Sequence, residues 1–190
     1  MSQAKTLTPQ ELRRVLDFVA TRKHAARNRA MLLMTHLSGM RVGEVAALRI
    51  NDVLDADGSV RNEIRLDAEQ TKGNFARVVF VSDKLRKELT KYLALYQPIN
   101  QNQKLFYTQK RMKEGFNANT LTQHFHHLYH AVGIEGASSH SGRRSFITNL
   151  ASKGVGVRVL MALSGHRALS SVQCYIDAND NQKRAAVELL

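Results

Sequence analysis

Apolar residues near the N-terminus recur at the spacing of an α-helix. The segment TPQE at residues 8–11 is a capping box with proline at the first helical position. The apolar positions that follow it are Leu12, Val15, Leu16 and Val19. This spacing places them on one helix face. The same reasoning predicts a second helix over residues 25–38, ending at Gly39, and a short third helix over residues 42–48.

The pattern changes between residues 50 and 82. The segment DADG at residues 55–58 marks a turn, and two segments rich in β-branched residues, VRNEIRL and ARVVFVS, flank the polar turn TKGN. Short runs of this composition favour β-strands. We therefore predict a small antiparallel sheet of two or three strands in this part of the chain.

Helical periodicity returns after residue 82. The pair Ser82-Asp83 caps one predicted helix, and another begins near Asn119. Three shorter helices are predicted over residues 141–152, 157–164 and 170–176. The predicted fold class is mainly α with a small antiparallel β-sheet (α+β), and 190 residues fit a single domain over residues 1–190.

The chain contains five tyrosines, at positions 92, 96, 107, 129 and 175, and packing explains all but the last. Tyr92 and Tyr96 lie on the apolar face of one predicted helix, and Tyr129 lies on the apolar face of the next. Tyr107 belongs to the short apolar segment LFYT. Tyr175 lies among serine, glutamine and cysteine at the end of a short helix. Its hydroxyl group is therefore a candidate for chemistry.

The composition is strongly basic, with 28 lysines and arginines against 16 aspartates and glutamates and a formal net charge of +12. This excess favours a polyanionic partner, with nucleic acid as the first candidate and an inert basic surface as the alternative. A membrane surface is less favoured because the basic residues are spread along the chain. There is no apolar signal sequence and no apolar run that could span a bilayer, so we expect a soluble, cytoplasmic protein.

Metal and disulfide chemistry have little support in the sequence. The single cysteine, Cys174, excludes an internal disulfide and a cysteine-rich zinc site. The cluster HFHHLYH places His126 and His130 on one helix face, but few carboxylates accompany it. Phosphate contacts along this helix are favoured over a metal site. We expect neither a metal nor any other cofactor.

Three separate stretches place arginine, histidine and tyrosine beside small residues. They are SGMRVGE with Arg41 and Glu44, HSGRR with His140 and Arg143, and SGHRALSSVQCYID with His166 and Tyr175. Taken singly, each Arg–Glu or His–Arg pair is most simply explained as a solvated surface pair. Together they suit phosphoryl transfer, because arginine binds phosphate oxygens bidentately and a tyrosine can hold a phosphodiester as a covalent ester.

In this order, the stretches resemble the signature of the tyrosine recombinases, the phage integrase family. That signature has an arginine in a T/S-G-x-R-x-x-E context, a lysine in a β-hairpin, His-x-x-Arg, Gly-His, and a tyrosine about nine residues later. Here TKGNFAR supplies Lys72, and the resemblance extends from about residue 8 to residue 177. It implies the family's catalytic-domain fold. It also implies site-specific DNA recombination through a 3′-phosphotyrosyl intermediate, with integration, excision or inversion as the outcome.

The resemblance implies a role for each residue of the signature. Arg41 and Arg143 would hold the scissile phosphate, and Glu44 would orient Arg41. Tyr175 would attack the phosphorus and form the covalent link to the DNA 3′ end.

Three further residues would handle protons and charge. Lys72 would protonate the 5′-oxygen, which leaves poorly without a general acid. His140 would assist proton transfer at Tyr175, and His166 would donate a hydrogen bond to a non-bridging phosphate oxygen. Neither a metal nor ATP is needed, because each step exchanges one phosphodiester for another.

Two positions depart from the H-x-L-R-H block that is common in the family, since this chain has Gly142 and Arg144 there. Gly142 is expected to weaken the helix by about 1 kcal/mol relative to alanine and to loosen the hold on Arg143. Arg144 is expected to contact the DNA backbone. The other residues expected to contact DNA are Lys110, Arg111 and Lys113.

The N-terminal DNA-clamping domain of most family members has no counterpart in this sequence. We expect a short single-domain recombinase similar to the fimbrial-switch invertases. The segment HAARN at residues 24–28 also resembles these proteins. A truncated integrase from a mobile element is the alternative. The C-terminal tail, residues 178–190, is expected to dock on a neighbouring protomer.

The partners that the resemblance implies are double-stranded DNA recombination sites, further copies of the chain in a tetramer on DNA, and accessory DNA-bending proteins. The protein would be a bacterial or phage-encoded enzyme associated with the nucleoid. Two other functions stay open from the sequence. One is a DNA-binding regulator with an intact but unused site, and the other is DNA relaxation of the type IB topoisomerase kind.

Overall fold

The computed structural model describes residues 3–71, 73–96, 100–108, 114–173, 175 and 187–188. Across these residues the chain forms nine α-helices and one two-stranded antiparallel sheet. The helices are α1 (Pro9–Ala20), α2 (Ala25–Ser38), α3 (Val42–Ala47), α4 (Ile50–Val53), α5 (Asp83–Leu95), α6 (Ala118–Ala131), α7 (Ser141–Ser152), α8 (Val157–Ser164) and α9 (Ser170–Gln173). The strands are β1 (Glu63–Leu66) and β2 (Arg77–Phe80). The predicted fold class is confirmed.

Helix α2 lies at the centre of the fold and packs against α1, α3, α5 and α7. Five consecutive buried apolar residues explain this position: Ala30, Met31, Leu32, Leu33 and Met34. A helix that is apolar on all sides has to be covered on all sides. Its neighbour α1 begins at the predicted capping box, in which the side chains of Thr8 and Glu11 each accept a hydrogen bond from the other residue's backbone N–H.

The sheet is a single hairpin in which Glu63 pairs with Phe80 and Leu66 pairs with Arg77. Ile64 and Leu66 are buried, while the alternate residues of β1 are exposed. This alternation attaches one face of the hairpin to the main core. The prediction of two or three antiparallel strands is therefore confirmed, with two.

Helix α4 and a 3₁₀ turn at Ala68–Gln70 lie where the sequence predicted only strands and turns. One helical turn contains too few residues to produce a readable periodicity, so the pattern missed both. Helix α4 contributes to packing nevertheless, because Ile50 and Val53 enter the core.

The core divides into a large cluster around α2 and a small cluster between α7, α8 and α9. The buried residues of the small cluster are Ile147, Ala151, Leu160 and Val172. The tyrosines buried in the large cluster or packed against it are Tyr92, Tyr96, Tyr107 and Tyr129, as predicted. Tyr175 is only partly buried and packs against the edge of the small cluster.

Helices α2 and α7 approach so closely that a glycine is needed on each side of the contact. Gly39 ends α2 with a φ of 66°, and a Cβ on it would lie 2.4 Å from the Phe146 ring. A Cβ on Gly142, in the first turn of α7, would lie 2.2 Å from Thr35 Oγ1. The expectation that Gly142 loosens the hold on Arg143 is therefore wrong. The missing side chain lets α7 lie against α2, and Arg143 is only 5% exposed.

Replacing Gly142 by alanine is expected to destabilise the protein, although alanine is the better helix former. The added Cβ overlaps Thr35, and overpacking of this kind costs about 1–3 kcal/mol and lowers Tm by several degrees. Gly43→Ala is the matched control, since a Cβ there meets only the Ala118 Cβ, at 3.6 Å. Thermal melts in which both variants are equally stable would contradict the close contact.

Candidate active site

Segments that are far apart in the sequence line one cavity of about 440 Å³. Of the residues predicted to be catalytic, those that line it are Arg41, His140, Arg143, His166 and Tyr175. The N-termini of α3 and α7 and the segment after α8 supply these side chains. The rest of the wall is formed by Arg144, by Gln3 and Ala4 near the N-terminus, and by Gly136 and Ser138 in the loop before α7. The structure thus brings together the groups that the sequence predicted separately.

Lys72 lies outside the described residues, as do the predicted DNA contacts Lys110, Arg111 and Lys113. Of the predicted docking tail, only residues 187–188 are described. The residue before Lys72, Thr71, closes the β1–β2 turn through two hydrogen bonds between its hydroxyl and the backbone of Phe75. Thr71 and Phe75 line a second, smaller cavity that also contains Arg41 and His166, so this turn lies beside the candidate site.

Glu44 holds Arg41 at two points. One Glu44 oxygen accepts a hydrogen bond from the Arg41 backbone N–H at 2.8 Å, and the other accepts one from the guanidinium at 2.9 Å. Burial alone would raise the pKa of Glu44, but hydrogen bonds and positive charge from Arg77 and Arg41 outweigh it, so the pKa is lowered. Glu44 is therefore a buried carboxylate that is hydrogen-bonded to both the backbone and the guanidinium of Arg41.

Arg77 is a site residue that the sequence did not reveal. Its guanidinium donates to both oxygens of Glu44, at 2.6 and 3.3 Å, and to the backbone oxygen of Leu163 at 2.9 Å. It therefore ties β2 to α3 and to the end of α8. Its place at the end of TKGNFAR was the available signal, but spacing along the chain does not show that it meets Glu44. Without Arg77, Glu44 would keep Arg41 as its ion-pair partner among the described residues.

Arg77→Met is expected to lower the free energy of unfolding by about 3 kcal/mol, because removing one partner of a buried ion pair leaves the other uncompensated. Arg29→Met is the matched control. Arg29 also binds a carboxylate with two nitrogens, that of Glu88, but its side chain is 39% exposed, against 10% for Arg77. Loss of a partly exposed pair costs about 1 kcal/mol or less. Urea unfolding of both variants measures the difference, and equal losses would show that Arg77 is a surface-type contact.

Arg143 is buried beneath the cavity and donates in two directions. One terminal nitrogen donates to the backbone oxygen of Gly39 at 2.6 Å, and the other lies 3.1 Å from Nε2 of His166. Burial and the neighbouring positive charge of Arg41 lower the pKa of Arg143 to about 9, so the group remains protonated at neutral pH. The helix–helix contact at Gly39 and Gly142 thus fixes a cation in the floor of the cavity.

His166 is neutral at neutral pH, because burial and the charges of Arg143, Arg41 and Arg77 lower its pKa to about 4. A guanidinium can only donate, so Nε2 of His166 accepts from Arg143 and Nδ1 carries the proton. That proton is directed at the Ser164 hydroxyl, 2.7 Å away, which in turn donates to the Leu160 backbone oxygen. Ser164 is a second residue of the site that the sequence pattern does not reveal.

Tyr175 lies between two groups of the cavity wall. Its ring centroid is 6.3 Å from that of His166, with 29° between the ring planes. The guanidinium carbon of Arg144 is 5.0 Å from the same ring centroid. His140 is the N-cap residue of α7 and its side chain is exposed. The candidate nucleophile is thus partly exposed, and its ring is contacted by His166 and Arg144.

Arg41 and Arg77 pair with the buried carboxylate of Glu44, and Arg41 and Arg143 line the cavity. The net positive charge in a partly enclosed cavity attracts an anion, and planar guanidinium groups match the geometry of a phosphate. A tyrosine hydroxyl beside such an anion can act as a nucleophile at phosphorus. The arrangement suits transfer of a phosphodiester to Tyr175.

The histidine cluster on α6 divides between the interior and the surface. Nε2 of His124 lies 3.2 Å from Oδ1 of Asn28, and burial lowers the pKa of His124 to about 4. The rings of His126 and His130 lie on the exposed face, 6.2 Å apart. Within the described part of the chain, no three His, Cys, Asp or Glu residues form a group that could hold a metal ion. None of the helices among the same residues has the length and apolar character to cross a membrane.

The phage integrase family matches residues 5–182 of the chain. The curated tyrosine recombinase XerA of Pyrococcus furiosus is 26% identical over 185 residues, which is 97% of this chain and 61% of that protein. The tyrosine recombinase XerD of Rickettsia prowazekii is 27% identical over 165 residues, which is 83% of this chain and 53% of that protein. The chain therefore spans little more than half the length of these relatives.

Solved structures show the same fold. The crystal structure of a XerA recombinase matches with a TM-score of 0.76 and 25% identity, over 100% of this chain and 64% of that one. The XerH recombinase bound to its difH substrate matches with a TM-score of 0.68 and 24% identity, over 96% of this chain and 53% of that one. The Tn1549 transposon integrase in complex with transposon right-end DNA matches with a TM-score of 0.75 and 19% identity, over 100% and 67%.

Proposed function

The chain belongs to the phage integrase family, and on this premise we propose that it is the catalytic domain of a site-specific tyrosine recombinase. It would cleave and rejoin DNA strands through a 3′-phosphotyrosyl intermediate. The observation that supports this most is the shared cavity, where Arg41, Arg143, His140, His166 and Tyr175 meet although they come from separate parts of the sequence.

The cavity would take the scissile phosphate between Arg41 and Arg143. Glu44 already neutralises part of the charge of Arg41 and fixes its direction, while Arg143 is held from below by the Gly39 carbonyl. Both guanidinium groups are therefore in place before substrate arrives. Preorganised donors of this kind stabilise the charge that develops on the phosphorane, and no metal is required for that purpose.

The covalent step exchanges one phosphodiester for another. The hydroxyl oxygen of Tyr175 attacks phosphorus and the bond to the 5′-oxygen breaks. The phenolic proton leaves towards His140, and Lys72 supplies a proton to the departing 5′-oxygen. The free 5′-hydroxyl of a partner strand then reverses the sequence. No cofactor enters the balance.

His166 would have to change its proton arrangement to bind the phosphate. In the free site Nε2 accepts from Arg143, whereas a hydrogen bond to a phosphate oxygen needs a proton on Nε2. A bound anion offsets the positive charges of Arg143, Arg41 and Arg77 that lower the pKa of His166. Phosphate binding is thus expected to favour a proton on Nε2 of His166.

The larger assembly follows from the reaction. Strand exchange needs two DNA sites and four active centres, so the proposal includes a tetramer on DNA, with residues 178–190 docking on a neighbour. Residues 1–190 would act as one catalytic domain. Accessory DNA-bending proteins are proposed as further partners. DNA contacts are proposed for Lys110, Arg111 and Lys113. The setting would be the cytoplasm of a bacterial cell.

A pool of randomised duplexes, each with a nick that releases a short end after cleavage, tests the proposal without knowledge of the target sequence. The protein is incubated with the pool, and protein–DNA complexes that survive SDS are recovered and sequenced. We expect a covalent adduct on an enriched sequence. Complexes seen in native gels but lost in SDS would favour the regulator. If the protein relaxes supercoiled plasmid but gives no recombinant product from two recovered sites, the topoisomerase activity is favoured.

DNA binding itself has a separate test. If about six phosphates are contacted, the log of the association constant should fall with the log of salt concentration with a slope near −5. Binding that does not respond to salt would contradict a phosphate-based interface.

A further inference from the structure

Arg144 and the N-terminal segment, residues 3–7, form a support for the tyrosine. We propose that Arg144 is a positioning residue that holds the ring of Tyr175 and is itself held by Thr6. The N-terminal segment is thereby coupled to the nucleophile. This inference rests on the proposed function for its kinetic consequence, but the contact can be tested without activity.

The geometry places Arg144 between the segment and the ring. Its Nε donates a hydrogen bond to the Thr6 hydroxyl oxygen at 3.1 Å, and its guanidinium carbon lies 5.0 Å from the centroid of the Tyr175 ring. Arg143, the preceding residue on α7, points instead to Gly39 and His166. Adjacent positions on one helix thus supply one guanidinium for the anion and another for the tyrosine.

The N-terminal segment is fixed independently of Arg144. The backbone N–H of Lys5 donates to the Gly136 carbonyl at 3.0 Å, and that of Leu7 donates to the Ser145 hydroxyl at 2.8 Å. The Leu7 side chain is buried, and Lys5 forms an ion pair with Glu11 at 2.6 Å. Thr6 lies between two anchored residues, so its hydroxyl is a defined point of attachment for Arg144.

A guanidinium on the face of the ring orients a phenol without occupying its oxygen. The face of an aromatic ring carries negative potential and attracts a cation, and a planar guanidinium stacks on it. The hydroxyl of Tyr175 stays available for attack, while the direction of the ring is restricted by Arg144 and by His166 on the cavity wall. A misplacement of about 1 Å in a reacting group can reduce the rate about 100-fold, so such a support affects catalysis.

Position 144 carries arginine where histidine is common in the family, and the sequence alone predicts a phosphate contact for it. The two roles make different predictions. A phosphate contact contributes to DNA affinity, and its loss should reduce the salt slope by about 1. A positioning contact contributes to the rate of adduct formation once DNA is bound.

The first experiment compares Arg144→Met with wild type on the duplex recovered from the randomised pool. The rate of adduct formation at saturating protein should fall by about 10-fold or more, while DNA affinity and its salt slope stay unchanged. Arg22→Met is the matched control, because it removes a cation from the face of another ring, that of Phe18, at 4.3 Å. It should leave both quantities unchanged. A weaker affinity with an unchanged rate for Arg144→Met would overturn the proposal in favour of the phosphate contact.

The second experiment tests the link to the segment. Thr6→Val removes the hydroxyl and keeps the shape of the side chain, so it should reproduce part of the loss in rate. In the double variant Thr6→Val/Arg144→Met, the loss should be no greater than in Arg144→Met alone, because both changes break one chain of contacts. Additive losses, or no effect of Thr6→Val, would overturn the role of the N-terminal segment.

A third measurement does not depend on DNA or on activity. In protein labelled with ¹³C in the tyrosine rings, the Tyr175 signal is identified by its absence from Tyr175→Phe. It should shift in Arg144→Met and in Thr6→Val, whereas the signals of Tyr92 and Tyr129 stay in place. If wild type forms no adduct, the proposed function fails while this shift still decides the contact. An unmoved Tyr175 signal in Arg144→Met would overturn the contact itself.

Discussion

Tyr175→Phe is expected to bind DNA normally and to form no covalent adduct with it. Phenylalanine keeps the ring that packs against the small core cluster and faces Arg144 and His166, so the fold and the cavity are preserved. Only the oxygen proposed to attack phosphorus is removed. The loss should be at least about 10⁴-fold, as for other essential nucleophiles. Gel shifts on the recovered duplex measure binding, and SDS gels of the nicked form measure the adduct.

Tyr107→Phe is the matched control for this experiment. The Tyr107 hydroxyl is also only partly buried, and its oxygen lies 3.1 Å from Nδ1 of His24, away from the cavity. The variant should form the adduct at the wild-type rate. An adduct that persists in Tyr175→Phe and disappears in Tyr107→Phe would reassign the nucleophile.

Arg143→Met is expected to reduce the rate of adduct formation by about 10³-fold or more. The variant loses the buried cation that is proposed to bind the phosphate, and single preorganised donors or arginines contribute about 10²–10⁵-fold in comparable reactions. Arg143→Lys should recover only part of the rate, since one ammonium group cannot serve both Gly39 and His166 in planar geometry. Single-turnover cleavage of the recovered duplex measures both variants.

A readout that needs no substrate accompanies the Arg143 variants. After burial, the charge of Arg143 is the largest cause of the lowered pKa of His166. Arg143→Met should therefore raise that pKa from about 4 towards its usual range, and Arg143→Lys should raise it less. NMR titration of the histidine ring signals follows the change. A His166 signal that titrates identically in wild type and Arg143→Met would contradict the contact between the two residues. Arg158→Met, which removes an exposed charge on α8, serves as the control.

The helices that could be predicted from the sequence are the ones with a local cause. The capping box before α1, the glycine after α2 and the apolar face of α6 are each contained in a few neighbouring residues. The same holds for the packing of the tyrosines on apolar faces. Local patterns missed α4, because one turn has no measurable period.

The candidate site divides in the same way. The resemblance predicts Arg41, Arg143, His166 and Tyr175 as site residues, and the fold places all four in one cavity. The partners that orient them have no local signature. Arg77 reaches Glu44 across 33 positions, and Arg144 reaches Thr6 across 138. Such contacts depend on how helices and strands pack, so spacing along the chain could not reveal them.

Gly142 shows most directly what the sequence alone does not predict. By helix propensity alone it is a weak point, and the expectation that it loosens Arg143 followed from that property. In the fold it is the position where α7 touches α2, and a side chain there would collide with Thr35. The sequence by itself determined the elements, the basic character and the reactive residue types, because these follow from local composition and periodicity. The tertiary structure alone decided how closely α2 and α7 pack, which charge balances Glu44 and what holds Tyr175, because those depend on distances between segments that only folding brings together.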